Sequence, residues 1–209
     1  MPTTFFINEW LRPPKDEEAS LIGFYPMATE FSRNESQINF KTCLEASKRE
    51  VWFMSTTFRD TIIPYRKLIL EKLSEGINMT FLAFNPESNN LIEVASSFNL
   101  TPEALKSECE FSLHALHRLI QEYESTNGNR SRKGELKVKL YNEVPRSRVY
   151  IYDPTSSDGT IFLVPYINRT FSDTYSGYLI PNSLKTKNIR ENYLLSVTNL
   201  SRNAHDLTI

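Results

Sequence analysis

The feature that most constrains the fold is a strand, a helix and a second strand in close succession. Residues 50–55 form a short segment with apolar residues on both faces, as in a buried strand. Residues 77–84 repeat this pattern. Between them apolar side chains recur at helical spacing, and Gly76 stands where a helix end favours positive φ. This order predicts two parallel strands joined by a right-handed crossover helix.

The remaining pattern predicts an α/β fold with a mixed, partly parallel sheet flanked by helices. The Thr-Pro-Glu triplet at residues 101–103 combines a capping hydroxyl, a proline at the first helical position and an early acid, as at a helix start. Further helices are predicted at residues 36–48, 89–98, 101–124 and 188–199, and further strands at residues 135–141, 148–152, 160–164 and 178–180.

The domain organisation follows from these elements. The chain of 209 residues is long enough for one generous core and too short for two comfortable domains. Residues 1–36 are punctuated by prolines and predict an irregular leader. Residues 37–209 are expected to form a single domain that closes with a helix.

Composition restricts the classes of function. The formal charge of −1, from 24 basic and 25 acidic side chains, gives no overall field toward nucleic acid or membrane, so any anion site must be local. The sequence contains neither a signal-peptide pattern nor an apolar run that could span a membrane, and a cytoplasmic location is expected. Cys43 and Cys109 match no metal or redox spacing and are expected to be buried structural thiols. No cofactor motif is present, and none is expected.

Polar side chains follow the two predicted parallel strands where each strand ends. Ser55 and Thr56 close the first, and Asn85 follows the second. Ligands of open α/β sheets bind beyond the carboxyl ends of such strands, which makes these residues ligand-binding candidates. The same residue types also form turns and caps, and the sequence leaves both interpretations open.

The most informative segment is the predicted strand around residue 150. Arg146 and Arg148 are two positions apart, so on an extended strand they share a face. Two guanidinium groups that project together need an anion or a carboxylate, and guanidinium matches phosphate with paired hydrogen bonds. The alternative is an edge strand whose charges prevent edge pairing. Tyr166 is one of several tyrosines in the last third of the chain that either stack a ligand beside the arginines or pack in the sheet.

This segment resembles the motif of the phospholipase D superfamily. That family is marked by His-X-Lys, four residues and Asp, with a Gly-Ser element shortly afterwards. The sequence has Arg146, Arg148 and Asp153 at the same spacing, followed by Gly159 and Thr160. The order of elements around the motif is also similar, over about residues 37–182.

The resemblance implies roles for the three motif positions. Arg146 stands in the place of the family's nucleophilic histidine, and arginine lacks an available lone pair for that role. Arg148 is expected to keep the phosphate-binding task of the family's lysine, and Asp153 to pair with an arginine. Members with a single motif build their active site from two subunits, so the resemblance also implies a homodimer.

Three functions remain open from the sequence. The first is a catalytically degenerate domain that binds a nucleotide, a nucleic acid or a phospholipid headgroup, or that acts in regulation or assembly. The second is an active phosphodiesterase or nuclease with an unrecognised nucleophile. The third is a structural protein-interaction domain in which the arginines form salt bridges.

Overall fold

The computed structural model describes residues 23–25, 39–127, 133–166, 177–183 and 186–207. Its helices are α1 (Phe40–Ala46), α2 (Arg59–Ser74), α3 (Leu91–Ser97), α4 (Pro102–Asn127) and α5 (Lys187–Asn203). Its strands are β1 (Gly23–Tyr25), β2 (Glu50–Ser55), β3 (Asn78–Phe84), β4 (Leu136–Tyr141), β5 (Ser147–Tyr152), β6 (Thr160–Pro165), β7 (Gly177–Pro181) and β8 (His205–Asp206).

These strands form one mixed sheet in the order β1-β7-β6-β5-β2-β3-β4-β8. The strands β2, β3 and β4 run parallel, whereas every other neighbouring pair is antiparallel. The predicted fold class, a partly parallel sheet flanked by helices, is confirmed. Because β5 runs against β2, the amino end of β5 lies beside the carboxyl end of β2. The candidate site described below lies where these two strand ends adjoin.

The predicted strand-helix-strand unit is present as β2, α2 and β3. Val51 is paired with Met79 in parallel register, and both side chains are fully buried. Gly76 ends the helix with φ +97°, the left-handed backbone that the sequence pattern predicted there. Ile77 then leads into β3. The apolar character of both strands follows from burial on two faces of the sheet.

The sheet separates two apolar cores. Helices α1, α2 and the greater part of α4 cover one face, while α3, the start of α4 and α5 cover the other. Alternation along β5 divides its side chains between these cores: Tyr150 and Tyr152 enter the first, Val149 and Ile151 the second. Arg148 therefore belongs to the face of the first core.

Helix α4 passes from one face of the sheet to the other. Its start is capped as predicted, because the Thr101 hydroxyl accepts a hydrogen bond of 3.2 Å from the Ala104 amide. Leu105 and Cys109 near this start contact the second core, whereas Leu116 further along is buried in the first. The Cys109 thiol donates to the Thr56 carbonyl oxygen at 3.6 Å, which holds the helix across the carboxyl end of β2.

Only residues 23–25 of the predicted leader are among the described residues. They form β1, which pairs with β7 from Gly23 opposite Leu179 to Tyr25 opposite Gly177. The rest of residues 1–36 lies outside the described part. Among the described helices, none is both long enough and apolar enough to cross a membrane.

The structure buries Cys109 fully and Cys43 in part, which leads to a first prediction. Burial raises the pKa of both Cys43 and Cys109 to about 12, and a hydrogen bond to Thr160 opposes this only in part for Cys43. Both pKa values lie above the usual one, so at about pH 8 the folded protein should hold roughly a thousandfold less thiolate than free cysteine. We expect iodoacetamide to modify neither thiol until guanidinium unfolds the chain, as judged by mass spectrometry. Modification of the native protein at the rate of free cysteine would contradict this.

Candidate functional site

The site lies where β2 ends and β5 begins. A pocket of about 130 Å³ opens there between the sheet end and α4, and we call it the inner pocket. It is lined by Thr56, Thr57, Phe98, Leu100, Leu105, Glu108, Arg148 and Tyr166. Its wall thus combines apolar side chains with a few convergent polar groups, which is typical of a binding site for a small molecule.

Arg148 supplies the cation of the inner pocket. Its side chain is half-buried, and its Nε is buried without a hydrogen-bond partner among the described residues. Burial lowers its pKa, but Tyr150, Tyr166 and Asp60 outweigh this and hold the pKa above the usual range. The guanidinium is therefore charged at every working pH. It forms no ion pair with any described carboxylate.

Thr56 supplies a second unused polar group. The residue is 4% exposed, and its hydroxyl makes no hydrogen bond to a described residue. It faces the Tyr141 hydroxyl without the geometry of a full hydrogen bond, and the Tyr141 hydroxyl also has no described partner. Burial holds the pKa of Tyr141 well above its usual value, so this phenol stays neutral. Buried polar atoms without partners are costly, which is why such a group at a pocket wall points to a ligand or water.

Tyr166 and Ser55 complete the polar wall. Tyr166 lies directly after β6, and its ring contacts Phe98 edge to face at 4.9 Å between centroids. Its hydroxyl lies 3.5 Å from the Ser55 hydroxyl and within hydrogen-bonding reach of Arg148. The structure thus brings together four residues that the sequence predicted for one site: Ser55, Thr56, Arg148 and Tyr166.

Arg146 lines a neighbouring depression that we call the outer groove. It precedes β5, is exposed, and accepts a backbone hydrogen bond of 2.8 Å from the Tyr166 amide. The outer groove has a volume of about 710 Å³ and runs between α3 and the segment before β5, with polar residues such as Asn89 and Ser96 along it. Tyr166 lines both cavities. The two arginines therefore adjoin one another through Tyr166 but do not line the same cavity.

The structure separates Asp153 from both arginines. It follows the far end of β5, about 16 Å along the strand from Arg148 at 3.3 Å per residue. Its carboxylate accepts backbone hydrogen bonds from Lys48, Arg49 and Glu50 at 2.7, 2.8 and 3.0 Å. Among the described residues no arginine forms an ion pair with this aspartate, and its oxygens bind backbone amides instead.

Asn85 also serves the backbone. Its side-chain oxygen accepts from the Glu87 amide at 3.0 Å, and its amide group donates to the Asn142 side chain at 2.9 Å. These bonds tie the turn after β3 to the end of β4. Asn85 lines neither the inner pocket nor the outer groove. Of the two interpretations that the sequence left open for Asn85, the geometry therefore agrees with turn formation.

Sequence reasoning missed Glu108 and the apolar residues of the inner pocket that come from α4 and the segment before it. Glu108 lies at the pocket wall and forms an exposed ion pair of 3.5 Å with Arg59. No local pattern marks it, because its approach to β2 depends on the course of α4 across the sheet. The two histidines of α4 line neither cavity, and the described residues hold no cluster that could bind a metal ion.

Comparison with known proteins finds similar folds but no similar sequence. No protein-family model and no curated protein matches the sequence. Among solved structures, phosphatidylserine synthase from Haemophilus influenzae Rd KW20 matches with a TM-score of 0.50 and 14% identity, over 90% of this chain and 39% of that one. The fold is phospholipase D-like. The fold predicted from the motif and the element order is confirmed.

Two further solved structures are similar at low identity. The archaeal chromatin protein TrmBL2 matches with a TM-score of 0.50 and 10% identity, over 97% of this chain and 59% of that one. Nuc from Salmonella typhimurium, a phospholipase D family member, has a TM-score of 0.49 and 13% identity, over 90% of this chain and 97% of that one. The chain thus spans less than two thirds of TrmBL2 and of the synthase. At these identities the likeness concerns the fold alone.

Proposed function

We propose that this phospholipase D-like domain is catalytically degenerate and binds a phosphate-containing ligand in the inner pocket. The observation that carries the proposal is the Arg148 guanidinium, which has a free buried Nε and no carboxylate partner among the described residues, beside the unpartnered Thr56 hydroxyl. A phosphate group accepts several hydrogen bonds at once and neutralises the cation. It would satisfy both unpartnered groups.

The degeneracy rests on Arg146. This position corresponds to the nucleophile in the motif that the sequence resembles, and a permanently charged guanidinium cannot attack phosphorus. Its exposed position at the outer groove suits it instead to attract an anion toward the inner pocket. Ser55 and Tyr166 supply hydroxyls for orientation. Asp153 and Asn85 are not part of the proposed site, since the backbone uses their side chains.

The second prediction tests this proposal through the melting temperature. Ligand at about 100 times its Kd stabilises the folded state by about 2.7 kcal/mol, which corresponds to roughly 5–10 °C for a domain of this size. We expect such a shift with at least one of inorganic phosphate, nucleotides, short DNA, short RNA and a soluble phospholipid headgroup. Arg148→Ala should weaken binding at least about tenfold, because it removes a charge-assisted contact. Arg118→Ala, at an exposed position on α4 away from the pocket, should leave binding unchanged.

Three outcomes would overturn this proposal in different ways. Turnover of a generic phosphodiester that Arg148→Ala abolishes would establish the active phosphodiesterase instead. No thermal shift with any of these ligands would leave the structural interaction domain as the better account. Equal losses in Arg148→Ala and Arg118→Ala would show that the attraction is diffuse rather than local.

The nature of the ligand and the assembly are part of the proposal. Short DNA belongs in the test because the work on TrmBL2 describes a mode of DNA binding, and a headgroup because another similar structure is a phosphatidylserine synthase. We further propose a single domain over residues 37–209 and a cytoplasmic location, and we propose a homodimer because the motif resemblance implies one. The molar mass in solution tests the dimer.

A further inference from the structure

A third cavity lies at the opposite end of β5 from the inner pocket. It has a volume of about 420 Å³, and we call it the α5 pocket because the first turn of α5 forms one side. The loop after β5 and the end of β7 form the others. Its polar lining includes Ser157, Asn182, Ser183, Lys187, Arg190 and Glu191. The proposed function assigns no role to any of these residues.

Arg190 is the central group of the α5 pocket. It is 6% exposed, and it donates one hydrogen bond of 2.6 Å from Nη2 to the Pro154 carbonyl oxygen. Its Nε is buried and has no partner among the described residues. No described carboxylate forms an ion pair with it, and burial lowers its pKa, a shift that Glu191 opposes only in part. A buried guanidinium in this condition needs an anion, since an isolated buried charge is costly.

The first turn of α5 adds to the positive potential. The helix has 17 residues, and its N-cap Thr186 makes no side-chain bond to the first-turn amides. The Thr186 hydroxyl donates instead to the Pro181 carbonyl oxygen at 2.6 Å. The first turn carries Lys187 and no acidic residue. Amides at a helix N-terminus favour an anion, whereas a lysine there is unfavourable unless an anion is near.

The carboxylates around the α5 pocket have other partners. Glu191 is the acidic residue in its lining, and it forms an ion pair of 3.8 Å with Lys187. Asp158 lies in the adjacent loop, and it pairs with Lys48 at 3.5 Å. The described lining therefore carries one more positive than negative charge. The N-terminus of α5 adds to this positive potential.

We propose that the α5 pocket is a second anion site, separate from the inner pocket, that binds a phosphate group through Arg190, Lys187 and the first-turn amides of α5. A tetrahedral phosphate accepts from several donors at once, which matches this convergence of a guanidinium, an ammonium and backbone amides. The site takes free phosphate or a phosphate monoester of a small molecule, which share this group.

The test is a titration of ¹⁵N-labelled protein with inorganic phosphate, followed by backbone amide NMR at constant ionic strength. We expect saturable shifts at residues 187–190, and we expect Arg148→Ala to leave them in place. Lys187→Glu should weaken this site about tenfold or more, the loss of one charge-assisted contact. Lys41→Glu is the matched control, because Lys41 is likewise exposed and likewise pairs with a glutamate four residues on, at 3.8 Å. It should leave the affinity unchanged.

Each other outcome has a definite meaning. Amides at residues 187–190 that do not move while those at residues 56 and 57 do would overturn the second site and support the inner pocket. The reverse pattern would support the second site and count against the proposed function. Equal losses in Lys187→Glu and Lys41→Glu would overturn the second site by revealing unspecific attraction. A repeat titration with glucose 6-phosphate separates a monoester site from one that admits only free phosphate.

Discussion

Replacing Asp153 by alanine is expected to lower the free energy of unfolding by about 3 kcal/mol or more. The residue is 7% exposed, and its carboxylate accepts hydrogen bonds from the amides of Lys48, Arg49 and Glu50. Removal leaves three amides at the start of β2 without their charged acceptor. Asp153 also has φ +47°, a conformation that alanine adopts less readily than aspartate. The loss therefore combines hydrogen bonding with backbone strain.

Urea unfolding measured by circular dichroism checks this value against two controls. Asp158→Ala removes an exposed aspartate in the same loop, whose ion pair with Lys48 is open to solvent, and should change the stability by at most about 0.5 kcal/mol. Asp153→Asn keeps one oxygen as acceptor and should lie between the two. If Asp153→Ala proves as stable as Asp158→Ala, the hydrogen bonds from the start of β2 to Asp153 contribute nothing to stability, and the structural role assigned to Asp153 is wrong.

Replacing Gly159 by alanine is expected to cost about 3 kcal/mol through steric overlap. A Cβ at this position would overlap the carbonyl oxygen of Asp153 and lie 2.9 Å from Nη2 of Arg190. It would also lie 3.0 Å from the carbonyl oxygen of Tyr152. Two of these atoms belong to the backbone at the end of β5, which cannot move without breaking its pairing with β2. Only a residue without Cβ fits.

Gly76→Ala is the comparison that separates overlap from backbone strain. Gly76 has φ +97°, but nothing lies within 4 Å of a Cβ built there, so its substitution should cost only about 1–2 kcal/mol. Both variants are measured by the same urea titration. A smaller loss for Gly159→Ala than for Gly76→Ala would mean that the loop after β5 relaxes freely, contrary to its tight packing around Arg190.

Local sequence patterns were enough to predict most of the helices and strands. The strand at residues 50–55 has the predicted bounds, because apolar residues on both faces leave little choice. Observed α4 extends three residues beyond the predicted end, since polar residues at a fraying end give no stop signal. The pairing of β1 with β7 was not predicted, because a three-residue strand has almost no pattern and its partner lies about 150 residues away.

Local sequence was enough to indicate those candidate site residues whose residue type and place on a strand suggest a role. Arg148 was a candidate because it stands two positions from Arg146 in the motif segment, and Ser55 and Thr56 were candidates because they end a parallel strand. Asp153 was assigned to the arginines from spacing in the motif, but an acceptor for three amides requires the neighbouring strand, which sequence spacing does not contain. Glu108 depended on the path of α4 in the same way.

The antiparallel pairing of β5 with β2 has a consequence for how the chain folds. The bonds from Asp153 to the start of β2 close a loop of more than 100 residues, an arrangement of high contact order that slows folding. The parallel unit β2-α2-β3 involves far shorter loops and has a kinetic advantage. The inner pocket is lined by Thr56 after β2 and by Arg148 on β5, so it forms only once these two strands have paired. It therefore exists only in molecules whose folding is complete. Ligand binding thus reports the native population, and a tight ligand would rescue variants that fold poorly.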